Sequence, residues 1–224
     1  LINFNLNENG MLIFEVNSLY HQVINDVFDY IYNEHIFYHS VTSLEKLLSF
    51  AGLFINEVKV VDTKGGSLRI TCSRNYKKSN ALEYWKIKEE SIGIHNDKPE
   101  IFKSLNQYIP FLKDSIYSII HNTPYEKIYG FGACVTSTIL VEVLELGNIL
   151  SGIIDDNINR QGRFSTGKGI EVYSKDILGR NDLVINLAWR HNEVILKSLS
   201  ESNINKVICP IPYPNSYDLV INTI

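Results

Sequence analysis

The residues best able to do chemistry stand together in Phe28-Asp29-Tyr30-Ile31-Tyr32-Asn33-Glu34-His35-Ile36-Phe37-Tyr38-His39-Ser40. This stretch holds five aromatic rings, two imidazoles and two carboxylates within thirteen residues. A core segment carries more aliphatic residues, and a solvated loop carries fewer rings. Titratable groups among aromatic walls suit acid–base work, because partial desolvation moves a His or Glu pKa toward neutrality. Within it His35 is the candidate base, with Glu34 adjoining and Tyr32 and Tyr38 on either side. If the segment is helical, Tyr32 and His39 share the face of His35. A structural histidine in the core is the competing reading at this stage.

Two further stretches offer binding chemistry. Gly130-Phe131-Gly132, followed by Asp155 and Asp156, partly matches a dinucleotide fingerprint, but Val135 stands where a small residue is required. A β-branched side chain there is expected to hinder helix–strand packing, so a Rossmann-like sheet with a tight turn is the preferred reading. The loop Asn159 to Gly169 carries Arg160, Arg163 and Lys168 among glycines. Its spacing is not that of a P-loop, yet cations beside exposed backbone N–H groups suit a pyrophosphate. A solvated surface loop is the alternative. His21, His95, His121 and His191 are isolated and read as structural or surface residues.

Composition excludes several classes. The 224 residues allow one large domain or two small ones, and 45% hydrophobic with 21% charged residues is ordinary for a globular protein. The net charge of -4 comes with no basic cluster longer than Tyr76-Lys77-Lys78, so nucleic acid is not an expected partner. Cys72, Cys134 and Cys209 lie far apart without a CxxC pair, which argues for a reducing compartment and against a disulfide frame or a zinc site. Apolar runs fall short of the roughly 20 residues of a membrane span, and there is no secretory signal. A cytoplasmic protein is expected.

The elements that must position these residues read as follows. An Asn-rich opening, Leu1 to Gly10, leads to a strand over Met11–Val16. A helix capped by Ser40 or Thr42-Ser43 carries Leu44, Leu47, Leu48 and Ala51 and stops at Gly52. A strand over Leu53 to Val61, a turn at Lys64-Gly65-Gly66 and a strand over Ser67–Ser73 form an antiparallel pair. Asn80 to Asn122 is predicted to be helical with a break near Gly93 to Pro99. Strands at Lys127–Ala133, Ile149–Asp156, Asp182–Trp189 and Lys206–Pro210, with helices over Thr138–Leu146 and Glu193–Ser200, imply a small parallel sheet. The fourth strand ends in the Pro-rich Ile211-Pro212-Tyr213-Pro214. The fold class is therefore α/β, with a helical connector over 79–122 and a Rossmann-like domain over 123–224; the strand, helix and hairpin of residues 1–78 resemble the closing end of a class I methyltransferase sheet.

The motifs also resemble a known family, the S-adenosylmethionine-dependent sugar C-methyltransferases that act on nucleotide-linked deoxysugars. Its signature runs approximately FDxIYHEHxxYxS, followed by a Ser-Leu helix ending in Gly-Leu and by GGSLR. This chain has FDYIYNEHIFYHS, SLEKLLSFAGL and KGGSLRITCSR in that order. The family's GAxAKGxTLL turn, VDD strand end, KQGRxxPGT loop and LAW strand end correspond to GFGACVTSTIL, IIDDN, RQGRFSTGK and NLAWRHNE. The resemblance implies that His35 removes the proton alpha to a 4-keto group, supported by Glu34 and Tyr32. It also implies that Tyr38, Ser40, Gln161 and Arg163 contact the substrate. Asn33 replaces a His of the signature, and Val135-Thr136 replace the Lys-Gly of the second turn.

Neither the family's cysteine-rich zinc domain nor the Gly-rich half-sheet that holds S-adenosylmethionine is represented. The chain begins with Leu, near the family's fifth strand, and is expected to be a C-terminal portion not competent alone. The missing half is then in the same or another polypeptide. The expected function is methylation of a nucleotide-diphosphate keto-deoxysugar. A non-catalytic nucleotide-sugar-binding module, an NAD(P)-linked oxidoreductase built on Gly130 to Asp156, and an O-methyltransferase are the alternatives.

Overall fold

The structure, a computed structural model, describes residues 5–61, 63, 65–95, 99–200, 202, 204, 206–211 and 220–223. The start of the Asn-rich opening, Lys64 of the hairpin turn, part of the helical break and the prolines at 212 and 214 lie outside the described residues. The chain forms two units. Unit 1 comprises Leu1–Val27 and His35–Ser104, and unit 2 comprises Phe28–Glu34 and Leu105–Ile224.

Unit 1 is built on three strands, β1 (Met11–Asn17), β2 (Phe54–Val61) and β3 (Ser67–Ser73), in the order β1-β3-β2 with both pairings antiparallel. The hairpin follows the sequence pattern. That β3 enters between β1 and β2 does not, because alternation specifies a face and not a neighbour. The helices are α1 (Leu19–Ile24), α2 (Val41–Phe50) and α3 (Asn80–Ser91). Val41, Leu44 and Leu48 of α2 pack with Ile55, Val58, Leu68, Ile70 and Cys72 of the sheet and Leu82 and Trp85 of α3.

Both ends of α2 are closed. Ser40 Oγ accepts the Ser43 N–H at 3.0 Å while Ser43 Oγ accepts the Ser40 N–H at 3.0 Å, a reciprocal capping box. The two remaining first-turn donors go to Glu89 of α3. Its carboxylate takes the Val41 N–H, the Thr42 N–H at 3.0 Å and the Thr42 hydroxyl at 2.9 Å, with His95 Nε2 at 3.2 Å. Glu89 is fully buried, and a charge there is tolerable because donors and the positive end of the helix surround it. At the other end Gly52 has φ +66°, its N–H donates to Ser49 O at 3.0 Å, and the Leu53 N–H donates to Leu48 O at 3.0 Å. This is a Schellman closure with buried Leu53 and Leu48 as its apolar pair. In the hairpin turn, Gly66 has φ +112°, and a Cβ on it would fall 2.5 Å from His21 Cβ. The GGSLR glycine is thus required by the approach of α1.

Unit 2 carries the parallel sheet. Its strands are β4 (Ile128–Phe131), β5 (Gly152–Ile154), β6 (Val172–Tyr173), β7 (Leu183–Asn186), β8 (Lys206–Cys209) and β9 (Val220–Thr223), in the order β6-β5-β4-β7-β8-β9. The first five are parallel and β9 is antiparallel to β8, giving an α/β, Rossmann-like fold. Helices α4 (Lys103–His121), α5 (Val135–Val143) and α6 (Asn192–Ser200) accompany it. The edge strands β6 and β9 were not anticipated, and β5 and β7 are shorter than their apolar runs. Helix α5 starts three residues earlier than its apolar period indicates, directly after the Gly132 turn.

The Glu89 carboxylate defines a first prediction. Glu89→Gln should lower stability by about 1–3 kcal/mol, since a neutral amide serves the α2 amides poorly. Urea denaturation checks the loss. Hydrogen exchange should quicken at Val41 and Thr42, and unchanged exchange there would remove Glu89 from the cap.

Candidate active site

The signature segment is not helical. It runs through turns from Asp29 to Glu34 and then has no regular structure as far as Ser40 beyond an isolated bridge at His39. The shared helical face of Tyr32, His35 and His39 therefore does not form. The reason is long-range: Asp29 is drawn into a buried ion pair in unit 2, while His39 O accepts the Leu19 N–H at 3.0 Å in unit 1. The division between units falls between Glu34 and His35.

Within unit 2, Asp29 is completely buried. It accepts a bidentate pair of bonds from Arg190 Nη1 and Nη2, each 2.9 Å, and a third from Trp189 Nε1 at 2.9 Å. The guanidinium lies between the Tyr30 ring at 3.9 Å and the Trp189 ring at 4.1 Å. Burial pushes the Tyr30 hydroxyl up to about 12 against the pull of the Arg190 cation. Tyr32 stacks on Tyr30 at 6.2 Å, and its hydroxyl pKa is raised by burial and then by the Glu34 charge. Sequence reasoning did not single out Asp29, Trp189 or Arg190 as partners, although FD and LAW stood within the quoted motifs.

In unit 1, His35 and Tyr38 line one cavity of about 270 Å³, together with Glu15, Phe37, His39, Thr63 and Ser67. Burial raises the Tyr38 pKa and lowers that of His39. Glu15 faces Arg69 of the GGSLR motif across the β1–β3 ladder and pairs with it, Nη2 to Oε1 at 2.5 Å. Ser40 follows as the buried cap of α2, with its hydroxyl committed to the helix.

The second cavity, about 210 Å³, lies wholly in unit 2. Arg160, Arg163, Phe164 and Thr166 of the loop face Ala133, Cys134 and Thr138 at the start of α5 across it. Arg163 is exposed and, among the described residues, has no ion-pair partner. Gln161 Nε2 instead donates to Asp155 O at 2.9 Å. The Asp155 carboxylate accepts the N–H groups of Ala133 and Asn157, each at 2.8 Å, and Arg160 Nη1 at 2.9 Å. Burial works to raise its pKa, but these donors outweigh it and hold the carboxyl below the usual range. Of the two strand-end acids of the fingerprint reading, Asp155 is thus committed inside the fold, and Asp156 is exposed. Gly132, at φ +102°, permits the turn because a Cβ would meet Ala188 Cβ at 2.6 Å. Val135 is exposed at the first residue of α5, while buried Ser137 packs beneath. The expected hindrance does not arise.

An α/β chain of two units with a titratable cavity is common to many enzymes; comparison with known proteins narrows it. The model of the C-methyltransferase C-terminal domain family matches residues 62–212, and the chain belongs to this family. C-methyltransferase NovU of Streptomyces niveus is 24% identical over 215 residues, 92% of this chain and 51% of that protein. The chain spans about half the length of this relative. Among the described residues, no helix is long and apolar enough to cross a membrane and no cluster of His, Cys, Asp and Glu could hold a metal ion.

Two predictions follow from the buried carboxylates. Asp29→Ala strands the Arg190 cation and should cost about 3–5 kcal/mol, measured by urea denaturation. A loss below about 1 kcal/mol would show the pair to be dispensable. For Asp155 the folded pKa is depressed, so its contribution is complete above the unfolded value near ~3.9 and disappears as pH falls through the folded value. Asp155→Asn should therefore destabilise at neutral pH and progressively less on acidification. Parallel stability curves at neutral and acid pH would contradict this.

Proposed function

We propose that this chain forms part of a methyltransferase acting on a nucleotide-diphosphate 4-keto-deoxysugar, with His35 as the base. The observation that carries the reading is the unit 1 cavity, which holds His35 and Tyr38 in a chain of the C-methyltransferase C-terminal domain family. His35 takes the proton alpha to the ketone, a step that also needs a group to stabilise the enolate. Glu34 and Tyr32 support the base by the family signature. Tyr38 supplies a wall or hydroxyl to the sugar, and Ser40 acts by fixing the start of α2 behind it.

Methyltransferases of this kind take the methyl group from S-adenosylmethionine. At the Gly132 turn the Asp155 carboxylate is committed to Ala133, Asn157 and Arg160, and the neighbouring Asp156 is exposed. We assign cofactor binding to further methyltransferase sequence, in the same or another polypeptide. The diphosphate is assigned to Arg163 beside the α5 N-terminus, with Gln161 shaping the loop.

A second reading, a nucleotide-sugar-binding module without catalysis, draws on the unit 2 cavity and its arginines. Calorimetry and kinetics separate the two. Nucleotide-sugar should bind the chain, and Arg163→Ala should weaken it about tenfold or more, as loss of a charge-assisted contact does. In the complete natural polypeptide, His35→Ala should abolish methyl transfer while leaving cofactor affinity nearly unchanged. Tyr32→Phe should cost less, since it keeps the ring. Loss of cofactor binding with residual turnover would end the base assignment, and sugar-nucleotide binding without any turnover would favour the module.

A further inference from the structure

The unit 1 cavity contains a second imidazole that the family signature leaves unspecified. His39 falls at an open position of FDxIYHEHxxYxS, yet it lines the same cavity as His35. Its backbone is fixed on both sides. The His39 carbonyl accepts the Leu19 N–H at 3.0 Å, and residues 18 and 39 form a parallel bridge. The next residue, Ser40, is locked in the capping box of α2. The His39 ring stacks on Phe37, with centroids 6.3 Å apart and planes at 29°. Among the described residues it makes no other ring contact and no side-chain hydrogen bond, so its nitrogens face the half-open cavity. The other charged group on the wall, Glu15, is neutralised by Arg69 at 2.5 Å.

Carbon deprotonation next to a ketone places negative charge on the ketone oxygen as the proton leaves. That charge needs a fixed donor, and a neutral imidazole N–H is a suitable one. We propose that His39 is a further catalytic residue of this cavity, donating a ring N–H to the developing enolate oxygen while His35 removes the proton. The C–H electron pair becomes the enolate, the proton resides on a ring nitrogen of His35, and no proton leaves His39. Burial of His39 lowers its pKa and keeps it the neutral partner beside a histidine that becomes charged. The assignment rests on the reading of His35 as the base of a ketone substrate.

Proton exchange tests it without methyl transfer. The complete natural polypeptide is incubated with a nucleotide-diphosphate 4-keto-deoxysugar in deuterated water, and label entering the carbon alpha to the ketone is followed by proton NMR. His39→Phe, which keeps an aromatic ring on Phe37, should slow exchange about 100-fold, the scale of losing one oxyanion donor. The sugar Kd, measured by calorimetry, should stay within about threefold, roughly 0.7 kcal/mol. His39→Asn, which restores an N–H donor, should recover about tenfold of the lost rate. Exchange in the parent protein that His39→Phe leaves unchanged overturns the His39 role and leaves the His35 reading standing. Equal loss in the Phe and Asn variants also overturns it, as does a fall in sugar affinity that accounts for the rate. Absence of exchange in the parent protein overturns both.

Discussion

The buried pair between Asp29 and Arg190 is the constraint on which the first half of the signature segment, within unit 2, depends. A carboxylate with no solvent access is tolerable only when its charge and its lone pairs are met. Here a bidentate guanidinium and an indole N–H meet both, and two aromatic rings flank the cation. The match is not complete: among the described residues Arg190 Nε is buried without a partner. Replacing such a pair by apolar residues can be neutral, so its main effect is on position. What it positions is Phe28–Glu34, fixed to the end of β7 in unit 2, with Tyr30 and Tyr32 stacked on the same platform.

A second carboxylate does the corresponding work in unit 1. Glu89, distant in sequence, satisfies the first-turn amides of α2 that the capping box leaves over. The start of α2 is also the end of the signature segment, so the cap fixes the backbone at Ser40. The Leu19 N–H fixes it one residue earlier, at the His39 carbonyl. The cavity wall from His35 to His39 is therefore held by hydrogen bonds and not by regular secondary structure, an arrangement frequent in loops that carry function. Asp155 repeats the theme at the Gly132 turn, where it closes a loop that in other sheets receives a ligand.

Much was legible from local rules. Gly52 ends α2 because a positive φ suits a residue without Cβ, and the alternation from Phe54 to Ser73 identifies an antiparallel hairpin. The βα alternation after Glu126 gives the parallel sheet, and the motifs give the family. The edge strands were less legible. Val172–Tyr173 is too short for any period to register, and the apolar run around β7 extends past the strand because Leu187 and Trp189 are buried in a turn.

The sequence by itself determined most element types, the order of the two units' sheets along the chain and membership of a methyltransferase family. Each depends on spacing or on composition within a few residues. Only the tertiary structure decided which titratable groups share a wall. The segment whose conformation the sequence left open is irregular, with Asp29 held by Arg190 about 160 residues away and Ser40 in a cap completed by Glu89. Long-range partners of buried charges leave no periodic trace in a sequence. Hence the grouping of His35 with Tyr38, His39 and Glu15, and the separate docking of Tyr30 and Tyr32, had to be read from the fold.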